Sequence, residues 1–260
     1  MREIYPENVD FNRTSSDYAK HRLGFPSDLF DRLQYLSIGL PGQHVLDLGT
    51  GTGTVARNFS LRGCKVVAID IADKLMAEAK AIDTAVGAHV DYRVGKAEAL
   101  DLPDASFNVV AAGQVWHWFD RPQAAAEAKR LLVKGGVLLI AHFDWIPLPG
   151  NVVEATEHLI EKHNSKWKAG GGMGLHPRWL ADATGAGFAD IETFSFDLFV
   201  PYTHEAWRGR VRASAGISAS LTPEHVEIFD RQHEKLLRER FPDEPLAVHH
   251  RVWAMTAKKP

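Results

Sequence analysis

The 260-residue chain has a single cysteine, Cys64. One thiol excludes an internal disulfide and any zinc site built from several cysteines. No apolar run approaches the length needed to cross a bilayer. The opening stretch Met1-Arg2-Glu3-Ile4-Tyr5-Pro6 has no apolar signal-peptide core. The expectation is a cytoplasmic protein without membrane insertion. Charge of one sign is not in excess: 30 Lys and Arg stand against 33 Asp and Glu, for a net charge of −3. With no basic stripe to follow phosphates, nucleic acid is not an expected partner. No internal repeat is visible. The 13 histidines are scattered, and the one adjacent pair, His249-His250, would point to opposite faces of a strand. No metal site is therefore expected.

What is present is a hydrophobic content of 45%, enough for a substantial core, in a length that suits one α/β domain with insertions. The most informative stretch is Val45-Leu46-Asp47-Leu48-Gly49-Thr50-Gly51-Thr52-Gly53. An apolar run ends in an acid, and three glycines follow at alternate positions. Thr54-Val55-Ala56-Arg57 then opens a helix. Glycine admits positive φ and close approach of the backbone to a ligand, and a helix N-terminus offers free N–H groups to an anionic group. A second apolar run, Lys65-Val66-Val67-Ala68-Ile69-Asp70, places a carboxylate about twenty residues beyond the glycines, where it suits two ribose hydroxyls. Nicotinamide dehydrogenases share that acid, but their fingerprint is Gly-x-Gly-x-x-Gly, and Asp47 would oppose a pyrophosphate. Asp47 suits a cofactor with a cationic tail, such as the α-amino group of S-adenosylmethionine.

Three further segments follow in order. Tyr92-Arg93-Val94-Gly95-Lys96-Ala97-Glu98 ends a short strand. Leu102-Pro103-Asp104-Ala105-Ser106-Phe107-Asn108-Val109-Val110 leads to Gln114-Val115-Trp116-His117-Trp118-Phe119. Leu131-Leu132-Val133-Lys134-Gly135-Gly136-Val137-Leu138-Leu139-Ile140 is a helix end, a Gly-Gly turn and a strand. Together the five pieces resemble the class I S-adenosylmethionine-dependent methyltransferases, in the small-molecule branch that includes ubiquinone/menaquinone and trans-aconitate methyltransferases. The resemblance covers residues 40–143 closely and the rest loosely. It implies a Rossmann-like, doubly wound α/β fold. The sheet would be seven-stranded and mostly parallel with an antiparallel last strand, elaborated by a helical cap and insertions. Two departures stand out. Lys96 occupies the place of a family Asp that accepts from the adenine amino group, and Ala72 replaces a capping Ser or Asp before Asp73.

The organisation expected is one methyltransferase domain over residues 1–260. Residues 1–40 would form an N-terminal helical cap, with Leu29, Leu33 and Leu36 at helical spacing, and 41–143 the cofactor-binding core. Residues 144–175 would be a lid-like insertion whose glycine-rich stretch 169–174 is too irregular for a helix. Residues 176–200 and 247–260 would complete the sheet around a helical insertion at 201–246. In that insertion Thr203 can cap a helix carrying Ala206, Trp207 and Val211. Thr222-Pro223-Glu224 reads as a cap, a first-turn proline and a first-turn acid.

The cofactor residues expected on this reading are Asp47, Gly49, Thr50, Gly51, Gly53, Asp70 for the ribose, Ile71 against the adenine, Ala97, Glu98, and Gln114 near the sulfonium. Arg22 joins them because its family counterpart approaches the cofactor carboxylate. On the substrate side, Trp116, His117 and Trp145 would form a wall, roofed by residues 1–25, 144–175 and 201–220. His117 can hydrogen-bond a substrate oxygen or accept its proton, and an aromatic face attracts the sulfonium. Arg210 can grip a carboxylate. The function implied is methyl transfer to a small molecule, a carboxylate or an aromatic or quinol-like compound. A nicotinamide oxidoreductase and a non-catalytic S-adenosylmethionine-binding module are the alternatives. The sequence does not specify an oligomeric state.

Overall fold

The computed structural model describes residues 24–260. The described chain forms two compact units. A sheet unit comprises Gly24–Phe143, His176–Ser195 and Val252–Pro260, and a helical unit comprises Asp144–Leu175 and Phe196–Arg251. The expected cap contributes its described part, and Arg22 lies outside the described residues.

The elements, in chain order, are α1 Ser27–Tyr35, β1 His44–Leu48, α2 Thr54–Leu61, β2 Lys65–Asp70, α3 Asp73–Val86, β3 Val90–Val94, β4 Phe107–Gly113, α4 Arg121–Leu131, β5 Leu132–Trp145, α5 Val152–His163, α6 Leu180–Gly185, β6 Ala189–Tyr202, α7 His204–Arg212, α8 Pro223–Arg240 and β7 Leu246–Lys258. The seven strands lie in the order β3-β2-β1-β4-β5-β7-β6. Strands β3, β2, β1, β4 and β5 are parallel neighbours, and the last strand pair is antiparallel. This is the mixed, doubly wound sheet the sequence predicts.

The centre of the sheet is apolar on both faces because helices cover both. Val45, Leu46 and Leu48 of β1 and Val110, Ala111 and Ala112 of β4 are all buried. Strand order reverses between β1 and β4, so the carboxyl ends of these two strands flank the crevice where open α/β sheets bind ligands. The glycine turn leaves β1 at that point.

The helix boundaries follow local chemistry. Asp120 caps α4 by accepting from Gln123 N at 3.3 Å, with proline in the first turn. Ala72 gives α3 no side-chain cap, as its composition predicts, and Gly87 closes that helix in the left-handed region at φ 74°. In the helical unit, Thr203 accepts from Ala206 N at 3.1 Å and Thr222 from His225 N at 3.4 Å, so both expected caps form. One detail, at Leu36, differs from the sequence reading. Leu36 falls just past the end of α1 and is 41% exposed, while Leu29 and Leu33 are buried. Pro177–Trp179 is a single 3-10 turn that precedes α6. The last strand runs from Leu246 to Lys258, in keeping with the expected 247–260 segment.

Candidate functional site

The turn after β1 is built on backbone that only glycine holds without strain: Gly49, Gly51 and Gly53 have φ of 63°, 52° and 77°. Their surroundings divide their roles. A Cβ on Gly49 would collide with Val115, and one on Gly53 with the Tyr92 hydroxyl, so these two glycines are required by packing. A Cβ on Gly51 would meet no atom of the described residues within 4 Å. Among those residues Gly51 borders open space, and its side is the one a ligand can approach.

Asp70, at the end of β2, closes the turn. Its Oδ2 accepts from Gly51 N at 2.7 Å and its Oδ1 from Ala72 N at 2.8 Å. Each oxygen keeps a lone pair, since a carboxylate accepts about four hydrogen bonds in all. The group is held in place and can still accept from a diol. Ile71, next in the chain, is 71% exposed, an apolar surface beside that carboxylate. The residues present thus fit a ribose with an attached planar base.

Asp47 is placed differently from Asp70. It is 1% exposed, and its Oδ2 accepts from Thr50 Oγ1 at 2.7 Å and from Ala56 N at 3.2 Å. Burial is the main cause that pushes its carboxyl up to about 7, opposed by these two hydrogen bonds and aided by the Asp70 charge. Thr50 thus directs its hydroxyl inward to Asp47. Ala97 is buried in the core, and Glu98 Oε1 accepts from Asp120 N at 2.9 Å, fastening the loop after β3 to the start of α4. Lys96 is exposed.

Behind the turn, Arg57 Nε meets Asp83 Oδ1 at 2.5 Å, and Arg57 Nη2 donates to Thr52 O at 2.9 Å and to Ala79 O at 3.2 Å. Tyr92 donates to Asp83 Oδ2 at 2.8 Å. Burial and the Asp83 carboxylate push the phenol up, so it stays a donor. This network joins α2, α3 and β3 to the glycine turn. Nothing in the sequence reading identified it.

After β4, Gln114 adopts φ 59°, and its side-chain amide donates to Phe143 O. The expected wall residue Trp116 is 0% exposed within the main core, edge-on to Phe119, with Nε1 donating to Asp182 Oδ2 at 3.0 Å. It supports the loop. His117 is half-buried, 5.3 Å from the His142 ring and 5.0 Å from Trp118. His142 in turn lies 4.4 Å from His176, which stacks on Trp179 at 4.1 Å and 6°. This imidazole row of the sheet unit was missed because its members come from distant segments. The only hint in the sequence is that His142 stands at the carboxyl end of an apolar strand.

Trp145 and Arg210 belong to the helical unit. The Arg210 guanidinium carbon lies 4.8 Å from the centre of the Trp145 ring, so these two expected substrate residues are neighbours.

A family profile described as a methyltransferase domain matches residues 46–140. Ubiquinone biosynthesis O-methyltransferase of Xanthomonas axonopodis pv. citri is 30% identical over 192 residues, covering 71% of this chain and 77% of that protein. Malonyl-[acyl-carrier protein] O-methyltransferase of Serratia marcescens is 33% identical over 132 residues, covering 50% of each. For the first curated relatives, the match spans about half of their length. Among solved structures, phosphoethanolamine N-methyltransferase 2 of Haemonchus contortus, in complex with S-adenosyl-L-methionine, shares the fold. Its TM-score is 0.55 at 18% identity, over 96% of this chain and 56% of that one.

Proposed function

The chain belongs to the class I S-adenosylmethionine-dependent methyltransferases, in their small-molecule branch, and from that premise we propose that it moves a methyl group from S-adenosylmethionine to a small-molecule acceptor. The observation that carries this reading is the Gly51–Asp70 pair at the strand-order reversal. Gly51 leaves open space, and Asp70 is fixed by two backbone N–H groups with lone pairs to offer.

When bound, S-adenosylmethionine supplies a methyl carbon activated by a sulfonium, which leaves as a neutral thioether. The chain's own residues bind, orient and manage the proton. Asp70 accepts from the ribose hydroxyls, Ile71 covers one face of the adenine, and Gly51 lets the backbone approach. Gln114, fixed through Phe143 O, stands on the sulfur side of the turn. His117 orients the acceptor and receives its proton when the acceptor is a hydroxyl or an amine. Orientation of two bound reactants supplies a large part of such a rate enhancement, so the chemistry needs no catalytic triad.

The test is transfer of labelled methyl from S-adenosylmethionine to a panel of acids, phenols, thiols and quinols. At least one class is expected to be methylated. His117→Ala should lower turnover at least about a hundredfold, within the range for a positioned proton acceptor, with cofactor affinity unchanged. Full activity in that variant would remove His117 from the site.

A further inference from the structure

Helix α7 carries three arginines at alternate positions, and their environments differ. Arg208 is neutralised by Asp230, with Glu205 and Glu234 close by. Arg212 meets Asp230 at 2.7 Å and Glu205 at 3.2 Å. Arg210 forms no ion pair and donates no hydrogen bond to any described residue; its neighbour is the face of Trp145. Asp144 acts on it only through space. Its N–H groups are thus not taken up by acceptors of the described residues and can meet a ligand.

The surroundings are fixed and mostly apolar. Trp145 Nε1 donates to Glu157 Oε1 at 2.8 Å, and the other oxygen of Glu157 accepts from Gly171 N at 2.8 Å. Trp207 packs edge-on against Trp145 at 5.2 Å, and its Nε1 donates to Thr156 Oγ1 at 3.1 Å. Tyr202 and His250 are buried nearby. Burial holds the His250 imidazole down to about 4, so at neutral pH it adds no second cation. The Trp145 ring is thus a rigid platform, and a guanidinium resting on an aromatic face keeps its in-plane fork for a planar anion.

We propose that Arg210, seated on Trp145, is the recognition site for an organic carboxylate. A planar fork suits a carboxylate, taken through two parallel hydrogen bonds. The ligand class is therefore an organic acid.

The experiment titrates the full chain, by calorimetry, with salicylate and citrate and with their neutral amides. Arg210→Gln and Arg210→Lys are measured in parallel, and S-adenosylhomocysteine binding is followed in each. At least one acid should bind the wild type, its amide should bind at least about tenfold more weakly, and Arg210→Gln should weaken the acid by about ten- to a hundredfold. Arg210→Lys should recover part of the loss. S-adenosylhomocysteine should bind all three proteins equally, which also shows that the variants fold. The proposal is overturned if neither acid binds, or if acid and amide, or wild type and Arg210→Gln, are indistinguishable. If the acids behave as expected but S-adenosylhomocysteine does not bind the wild type, the carboxylate site stands and the methyl-transfer reading fails.

Discussion

Gly51 and Asp70 carry the account at the level of single residues. Gly51→Val would place a branched side chain in the open space beside the turn, on backbone at φ 52°. It should abolish cofactor binding. Asp70→Ala removes an acceptor from the ribose and from Gly51 N, and each charged hydrogen bond is worth roughly 1.5–3 kcal/mol. Cofactor affinity should fall about ten- to a hundredfold by calorimetry, and an unchanged dissociation constant would show that Asp70 does not reach the ribose. Asp47 gives a pH signature. In the unfolded chain its carboxyl ionises near 3.8, while in the folded protein it ionises at about 7. Between those values the unfolded state gains the charge and the folded state does not. The wild type should therefore lose stability relative to Asp47→Asn as pH rises from about 4 to about 7, by roughly 1.4 kcal/mol per pH unit at most, and then level off. Parallel stability curves for the two proteins would contradict this. Residue types at fixed spacing made the glycines and the two acids legible in the sequence. The destinations of the hydrogen bonds were not. Thr50, Glu98 and Trp116 each direct a polar atom to another part of the protein, and no residue spacing announces those partners.

Among the elements, the join of α2, α3 and β3 behind the glycine turn is the most exposed to single changes. Arg57 and Asp83 are both well buried, and Tyr92 completes the pair. Removing one partner of a buried ion pair leaves an uncompensated charge. Asp83→Ala should therefore destabilise the protein by about 3–5 kcal/mol in denaturant unfolding and loosen the turn through Arg57's bond to Thr52 O. A loss below 1 kcal/mol would mean that the network is replaceable. The cap of α4 is a smaller case: Asp120→Ala should cost about 1 kcal/mol. Caps were the readable part of the helices, since Thr203 and Thr222-Pro223 carry their chemistry in adjacent residues. On α8 the buried stripe is Phe229, His233 and Leu237. Nothing in the local pattern signalled a buried histidine bonded to Thr156.

For the whole molecule, strand order and the alternation of strand and helix were legible, because each step from residue 44 to residue 140 has a strong period and a clear turn. The expected lid and helical insertion, 144–175 and 201–246, fall within one compact unit of their own, which no periodicity within either segment could reveal. No helix among the described residues is long and apolar enough to cross a membrane. The central claim is that the acid, glycine turn and acid of the sheet unit form an S-adenosylmethionine site. The direct measurement is calorimetric titration of the full chain with S-adenosylmethionine, S-adenosylhomocysteine and NAD, alongside Gly51→Val. The account predicts saturable one-site binding of the first two ligands, no heat from NAD, and loss of binding in Gly51→Val. Binding of NAD without S-adenosylmethionine, or undiminished binding in Gly51→Val, would contradict it.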